Sequence, residues 1–116
     1  MQKLILIKKY AINYLSKYDS SKKNLKRILR NKINRLSLSN DEKAYLYKCL
    51  NNIVFELEEK NIINDSNFTD NKIYNFSSQG KSKRFILNYL LFKGIEKQLV
   101  DERFEQFELD NEDWEY

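Results

Sequence analysis

The sequence predicts an all-α protein, and three observations support that prediction. The 116 residues include two glycines and no proline, too few for the many tight turns of an all-β fold. Apolar residues recur at intervals of three and four, the spacing that lines one face of a helix. The pattern that begins at Ser21 recurs 61 positions later at Ser82. A helical unit used twice predicts a binding protein rather than a catalyst.

The two copies of this pattern match at both apolar and polar positions. Serine opens each copy, basic residues follow it, and apolar residues then recur at helical spacing. The corresponding pairs are Ile12 with Ile73, Leu15 with Phe76, Ser16 with Ser77, Ser21 with Ser82, Lys22 with Lys83, Lys23 with Arg84, Leu25 with Ile86, Leu29 with Leu90 and Lys32 with Lys93.

The first predicted unit covers residues 1–62 and contains three helices. Ser21 is expected to cap the second helix, because its hydroxyl can accept a hydrogen bond from a free backbone N–H in the first turn. Ser39 and Glu42 have the spacing of a capping box before the third helix. The three helices are predicted at residues 3–17, 22–35 and 41–60. Their inward stripes are Leu4, Ile7, Ala11, Tyr14, Leu15; Leu25, Ile28, Leu29, Ile33; and Leu46, Leu50, Ile53, Val54, Leu57.

The second predicted unit covers residues 63–107 and repeats this arrangement. Ser82 is expected to cap its middle helix, and Gly94 to end that helix in a left-handed backbone conformation. The helices are predicted at residues 66–78, 83–93 and 96–107. The inward residues of the first two are Phe68, Ile73, Phe76, Phe85, Ile86, Tyr89 and Leu90. Residues 108–116 are predicted to form a disordered acidic tail.

The charge of the chain is strongly segregated, although its net value is only +4. Residues 1–35 carry a net charge of +10, residues 36–100 of +1 and residues 101–116 of −7. A basic segment of this density attracts polyanions. Trp114 and Tyr116 lie in the acidic segment, which either solubilises the chain or docks into a basic groove as a mimic of nucleic acid.

The second and fifth predicted helices carry the candidate contact residues. Lysine and arginine recur on their outer sides, as contact with phosphates or with an acidic protein surface requires. The alternative is a solvated face that contacts nothing. The candidates are Lys22, Lys23, Lys26, Arg27, Arg30, Arg35, Lys81, Lys83 and Arg84.

The composition argues against an enzyme and against bound cofactors or metals. Histidine is absent and Cys49 is the single cysteine, which excludes a Cys–His nucleophile and a zinc site within this chain. Cys49 is expected to be a small, partly buried residue. Gly80-Lys81-Ser82 imitates the end of a phosphate-binding loop, but Asn75 stands where that motif needs glycine. We therefore interpret it as a helix-to-helix turn. No apolar stretch is long enough to span a membrane, and a cytoplasmic location is expected.

Three ordered segments between about Tyr10 and Phe104 resemble the RecX family, regulators of the RecA recombinase. The family commonly has three three-helix units, whereas this sequence holds two. Asn24 also stands where the family usually has Glu. The segments are Ala11, Tyr14-Leu15, Ser21, Leu25, Leu29; then Leu57, Asn61, Ile62-Ile63, Asp65, Phe68; and then Gly80, Lys83-Arg84, Ile86, Leu90, Lys93-Gly94-Ile95.

The resemblance implies a non-enzymatic modulator that has RecA as its partner. RecX proteins lie in the groove of the RecA–DNA filament, inhibit strand exchange and ATP hydrolysis, and so affect recombination, repair and the SOS response. No membrane or small-molecule substrate is implied. Two other functions stay open from the residues themselves: a stand-alone binder of single- or double-stranded DNA that uses the basic helices, and an adaptor with protein partners only.

Overall fold

The computed structural model describes residues 2–111, and this part of the chain contains six helices and no strand. The predicted all-α class is therefore confirmed. The chain divides between Asn64 and Asp65 into two compact units of three helices each. Unit 1 contains α1 (Gln2–Lys17), α2 (Lys22–Arg35) and α3 (Asn40–Glu59), and unit 2 contains α4 (Asp65–Ser78), α5 (Lys83–Phe92) and α6 (Lys97–Asp110).

Serine side chains begin three of the helices, as the sequence predicts. The hydroxyl oxygens of Ser21 and Ser82 each accept a hydrogen bond from the backbone N–H three residues later, at 3.1 Å. Ser39 and Glu42 form the complete capping box, because each side chain accepts from the other's backbone N–H, at 3.2 and 3.3 Å. These bonds satisfy N–H groups that the first turn of a helix leaves unpaired.

Three helices end with a residue in the left-handed backbone conformation. Asn61, Gly80 and Gly94 have φ angles of 56°, 82° and 87°. After α5, the N–H of Ile95 donates to the carbonyl of Leu90 at 3.0 Å, which is the bond that defines a Schellman motif. The same pattern ends α3 and α4. Gly80-Lys81-Ser82 is thus a helix end followed by a helix cap, as we interpreted it from the sequence.

Each unit has its own hydrophobic core. Unit 1 buries Ile7, Ala11, Leu25, Leu29, Ile33, Leu46, Leu50, Ile53, Val54, Leu57 and Ile63. Unit 2 buries Phe68, Ile73, Ile86, Leu90, Ile95, Val100 and Phe104. Most of the predicted inward positions are therefore correct.

Phe85 is the clear exception among the predicted inward residues, since 44% of its surface is exposed. It lies in the first turn of α5, about 100° around the helix from the buried Ile86. Its ring packs edge-on against Phe76 instead, with the ring centroids 5.4 Å apart. The prediction that Phe85 faces the core was wrong, because its ring sits at the border between α4 and solvent.

The internal repeat is in register in the middle helices, and in the first helices one of its matched pairs differs in burial. Leu29 and Leu90 correspond and are both fully buried. Ile12 and Ile73 also correspond in sequence, but Ile12 is 48% exposed and Ile73 is buried. This pair therefore differs in burial, whereas Leu15 and Phe76, which also correspond, are both partly buried against the core of their own unit.

An ion pair connects α4 to α6, since the Arg103 guanidinium donates to both carboxylate oxygens of Asp70, at 2.6 and 2.8 Å. This pairing raises the pKa of Arg103.

Helix α6 continues to Asp110, so it ends three residues later than predicted and includes part of the predicted tail. Trp114 and Tyr116 lie outside the described residues.

Candidate partner-binding surfaces

The outer side of α2 carries the largest group of sequence-predicted contact residues. Leu25, Leu29 and Ile33 hold the inner side of this helix in the core and are fully buried. Residues 23, 27 and 30 follow each other at intervals of four and three, so they share one face. Lysine and arginine at these positions are exposed, and the half-buried Lys26 borders them. We call Lys23, Lys26, Arg27 and Arg30 the α2 basic face.

The charges of the α2 basic face are not neutralised within residues 2–111. Arg27 donates a hydrogen bond to the uncharged side chain of Asn24 at 3.0 Å, which holds its guanidinium on the surface. Lys23, Lys26 and Arg30 make no ion pair with any described residue. These cations are therefore available to an anionic partner. Arg35 donates to the backbone carbonyl of Asn31 at 3.3 Å. Its positive charge there stabilises the C-terminus of α2 through the helix dipole.

Two of the predicted contact lysines each form an ion pair with an acidic residue of their own unit. Lys22 opens α2 and pairs with Glu58 near the end of α3, at 2.8 Å. Lys83 opens α5 and pairs with Glu108 near the end of α6, at 2.9 Å. The two lysines correspond in the repeat, so each unit connects its second and third helices by the same kind of ion pair. These lysines contribute less free charge to a binding surface than the sequence suggests.

The outer side of α5 is less basic than that of α2. Arg84 is exposed and corresponds to Lys23. Asn88 and Leu91 stand at the positions that correspond to Arg27 and Arg30. Arg84 is therefore the single cation among these three positions of α5.

Sequence reasoning missed a second surface of unit 2, on which lysines lie over aromatic rings. The ammonium group of Lys81 is 5.1 Å from the centre of the Phe85 ring, which places this candidate beside an aromatic residue. Phe92 is 85% exposed although it belongs to α5. The signal was present in the sequence, since Phe85 and Phe92 are seven residues apart and Lys81 lies four residues before Phe85. Our assignment of Phe85 to the core concealed it.

Side chains with shifted pKa values in the described segment take part in a helix cap, in ion pairs or in a hydrogen bond with a neighbouring side chain. Hydrogen bonds from Lys3 and from the backbone of Ser39 lower the pKa of Glu42. Hydrogen bonds from Lys60 and Lys8 lower the pKa of Glu56. The pKa of Tyr45 is raised by its hydrogen bond with the partly buried Cys49. Each of these groups has a structural explanation.

Residues 2–111 contain neither a cluster of metal ligands nor a helix that could span a membrane. This part of the chain contains no cluster of three or more potential metal ligands. None of its helices is long and apolar enough to cross a lipid bilayer.

Comparison with known proteins gives one informative match. The chain is similar to the regulatory protein RecX of Myxococcus xanthus (strain DK1622). The two sequences are 25% identical over 91 residues, which cover 78% of this chain and 49% of that protein. The chain thus spans about half the length of this relative. No protein-family model matches the chain, and no solved structure matches it.

Proposed function

We propose that this protein binds the RecA–DNA filament and inhibits or tunes recombinase activity, and through it recombination and DNA repair. The similarity to a RecX protein over 91 residues carries the proposal. The all-helical architecture of paired three-helix units agrees with the fold that the resemblance implies. A modulator of this kind acts by occupying a surface, which requires no catalytic group.

The α2 basic face supplies the contact surface in this proposal. A nucleoprotein filament presents DNA phosphates and acidic side chains, both of which attract lysine and arginine. Arg27 and Arg30 matter most, because a planar guanidinium can donate two parallel hydrogen bonds to one phosphate or carboxylate. The buried inner side of α2 fixes their backbone, so little order has to be gained on binding.

Charge reversal on α2 tests this proposal. We expect Arg27→Glu/Arg30→Glu to reduce inhibition of RecA-driven strand exchange at least about ten-fold, since loss of one charged contact costs roughly 1.5–3 kcal/mol. The matched control is Lys9→Glu/Lys48→Glu, which reverses two exposed charges on α1 and α3 of the same unit.

The comparison of the two double variants decides the role of α2. Circular dichroism should show the same helix content and thermal midpoint for both, because all four side chains are exposed. Wild-type inhibition by both variants would remove α2 from the contact surface. Equal loss of inhibition in both would indicate attraction by net charge alone.

A second candidate function is direct DNA binding by the α2 basic face without RecA. The cations of this face have no acidic partner among the described side chains, which favours this candidate. Such binding should weaken steeply with salt, because lysine and arginine release counterions from the phosphates they contact. The affinity for DNA between about 50 and 200 mM salt, measured without RecA, distinguishes it from filament binding.

A further inference from the structure

The surface between α4 and α5 combines exposed aromatic rings with lysine ammonium groups. Lys72 of α4 lies 5.5 to 6.0 Å from the ring centres of the buried Phe68 and of the half-buried Phe76 and Tyr89. The exposed rings belong to Phe85 and Phe92. Lys81 lies 5.1 Å from the Phe85 ring. The aromatic–lysine surface, as we call it, consists of Phe85, Tyr89, Phe92, Lys72, Lys81 and Lys93.

The rings of this surface follow α5 from its first turn to its last. Phe85 and Phe92 are 44% and 85% exposed, and Tyr89 lies between them with part of its ring covered. A rise of about 1.5 Å per residue puts the two phenylalanines roughly 10 Å apart along the helix. Lys93 adds a cation at the far end, 5.6 Å from the Tyr89 ring and 5.9 Å from the Phe92 ring.

Rings and cations in this combination suit an unpaired nucleic acid strand better than a protein partner. The centres of protein–protein interfaces are depleted in charged residues, and in lysine especially, whereas here lysines lie directly over the rings. Proteins that bind single strands combine aromatic residues, on which bases stack, with cations that contact the phosphates. Lys72 and Lys81 make no ion pair with another described side chain, so their charge is available for phosphates.

We propose that the aromatic–lysine surface binds single-stranded nucleic acid. Unstacked bases lie on the rings of Phe85 and Phe92, and the backbone phosphates contact Lys72, Lys81 and Lys93. The rise of roughly 10 Å along α5 between the two phenylalanines corresponds to about three steps of ~3.4 Å along one strand. Binding at the aromatic–lysine surface needs no recombinase and uses other residues than the α2 basic face. It can therefore be tested independently of the proposed function.

Two labelled strands of 20 nucleotides test the proposal with the full chain and no RecA. One is oligothymidine, and the other has the same backbone with abasic sites in place of the bases. Stacking requires bases, so we expect the wild-type protein to bind oligothymidine at least about five-fold more tightly than the abasic strand. Phe85→Ala/Phe92→Ala should remove this preference and leave the affinity for the abasic strand unchanged.

Controls separate stacking from other effects of the substitutions. Phe55→Ala/Tyr74→Ala removes two rings that are 61% and 63% exposed elsewhere on the chain and should bind oligothymidine as the wild type does. Phe85 packs against Phe76, so Phe92→Ala alone is measured as well, because its exposed ring contributes little to folding.

Three results would overturn the proposal. The first is equal wild-type affinity for both strands, and the second is unchanged oligothymidine affinity in Phe92→Ala and in the double variant. The third is loss of RecA modulation in the double variant with strand affinity intact, which would assign the surface to a protein partner.

Discussion

The place of a lysine in its helix decides whether its charge is available to a partner. Lys22 and Lys23 are neighbours in the first turn of α2, but only Lys22 reaches an acid, Glu58, at 2.8 Å. A phosphate that binds Lys22 has to compete with that carboxylate. Lys23 is exposed and has no such competitor in the described structure. Adjacent residues of the same type therefore have different expected roles.

This difference predicts unequal effects of two neutralising substitutions. Lys23→Gln should weaken binding to a single strand more than Lys22→Gln and should reduce the slope of log affinity against log salt by about 0.7, the value for one lost phosphate contact. Fluorescence anisotropy over a salt series measures both quantities. Equal slopes for the two variants would show that the Lys22–Glu58 pair does not withhold charge from DNA.

Glu42 makes part of the stability of unit 1 dependent on pH. Hydrogen bonds from Lys3 and from the Ser39 backbone lower its pKa in the folded protein below the ordinary 4.5. The ionised carboxylate therefore favours folding. Its contribution is complete above the ordinary pKa and is lost as the pH falls through the lower value of the folded state.

Glu42→Gln should accordingly flatten the response of the protein to acid. We expect the variant to lose less stability than the wild type between pH 7 and pH 3, as measured by the urea midpoint. Glu59→Gln is the control, since Glu59 is exposed and makes no ion pair with the described residues. An unchanged acid response in Glu42→Gln would show that its bonds to Lys3 and Ser39 do not stabilise the fold.

Left-handed residues at helix ends let short loops connect the helices of this chain, which contains no proline. Three helices end with a left-handed residue that turns the backbone and satisfies carbonyls of the last turn. Gly80 does this between α4 and α5 with φ of 82°, and a Cβ atom there would meet nothing within 4 Å. The need for glycine is therefore conformational and not a matter of space.

Gly80→Ala should lower the free energy of unfolding by about 1 kcal/mol, the cost of a left-handed conformation for an L-residue. Gly80→Asn should cost less, because asparagine tolerates this conformation and already occupies it at position 61. Urea denaturation of both variants provides the comparison. Equal losses would show that backbone conformation is not what selects glycine here.

Local signals sufficed to predict most elements. The serine caps, the glycine after α5 and the buried positions of α2 and α3 all depend on residues within a few positions of each other. The ion pairs of Lys22 and Lys83 could not be predicted this way, because their partners lie on another helix. Phe85 was wrongly predicted to face the core, because helical spacing alone does not show whether a large ring at the edge of the apolar face is buried or exposed.

Each of the two units carries a candidate partner-binding surface, and the two surfaces differ in their residues. Unit 1 carries the α2 basic face, whose four cations have no acidic partner among the described side chains. Unit 2 carries lysines among exposed rings, together with the acidic α6. Two surfaces on one chain predict stronger binding to a long anionic lattice than either gives alone.

In the proposed function, the protein acts on the recombinase filament itself. The most direct test is a titration of the protein into RecA that hydrolyses ATP on single-stranded DNA, with binding to the same DNA measured in parallel. We predict that hydrolysis falls at protein concentrations too low to cover the DNA. A fall that merely follows coverage of the DNA would contradict the proposed function and identify a DNA-binding protein that excludes RecA from the strand.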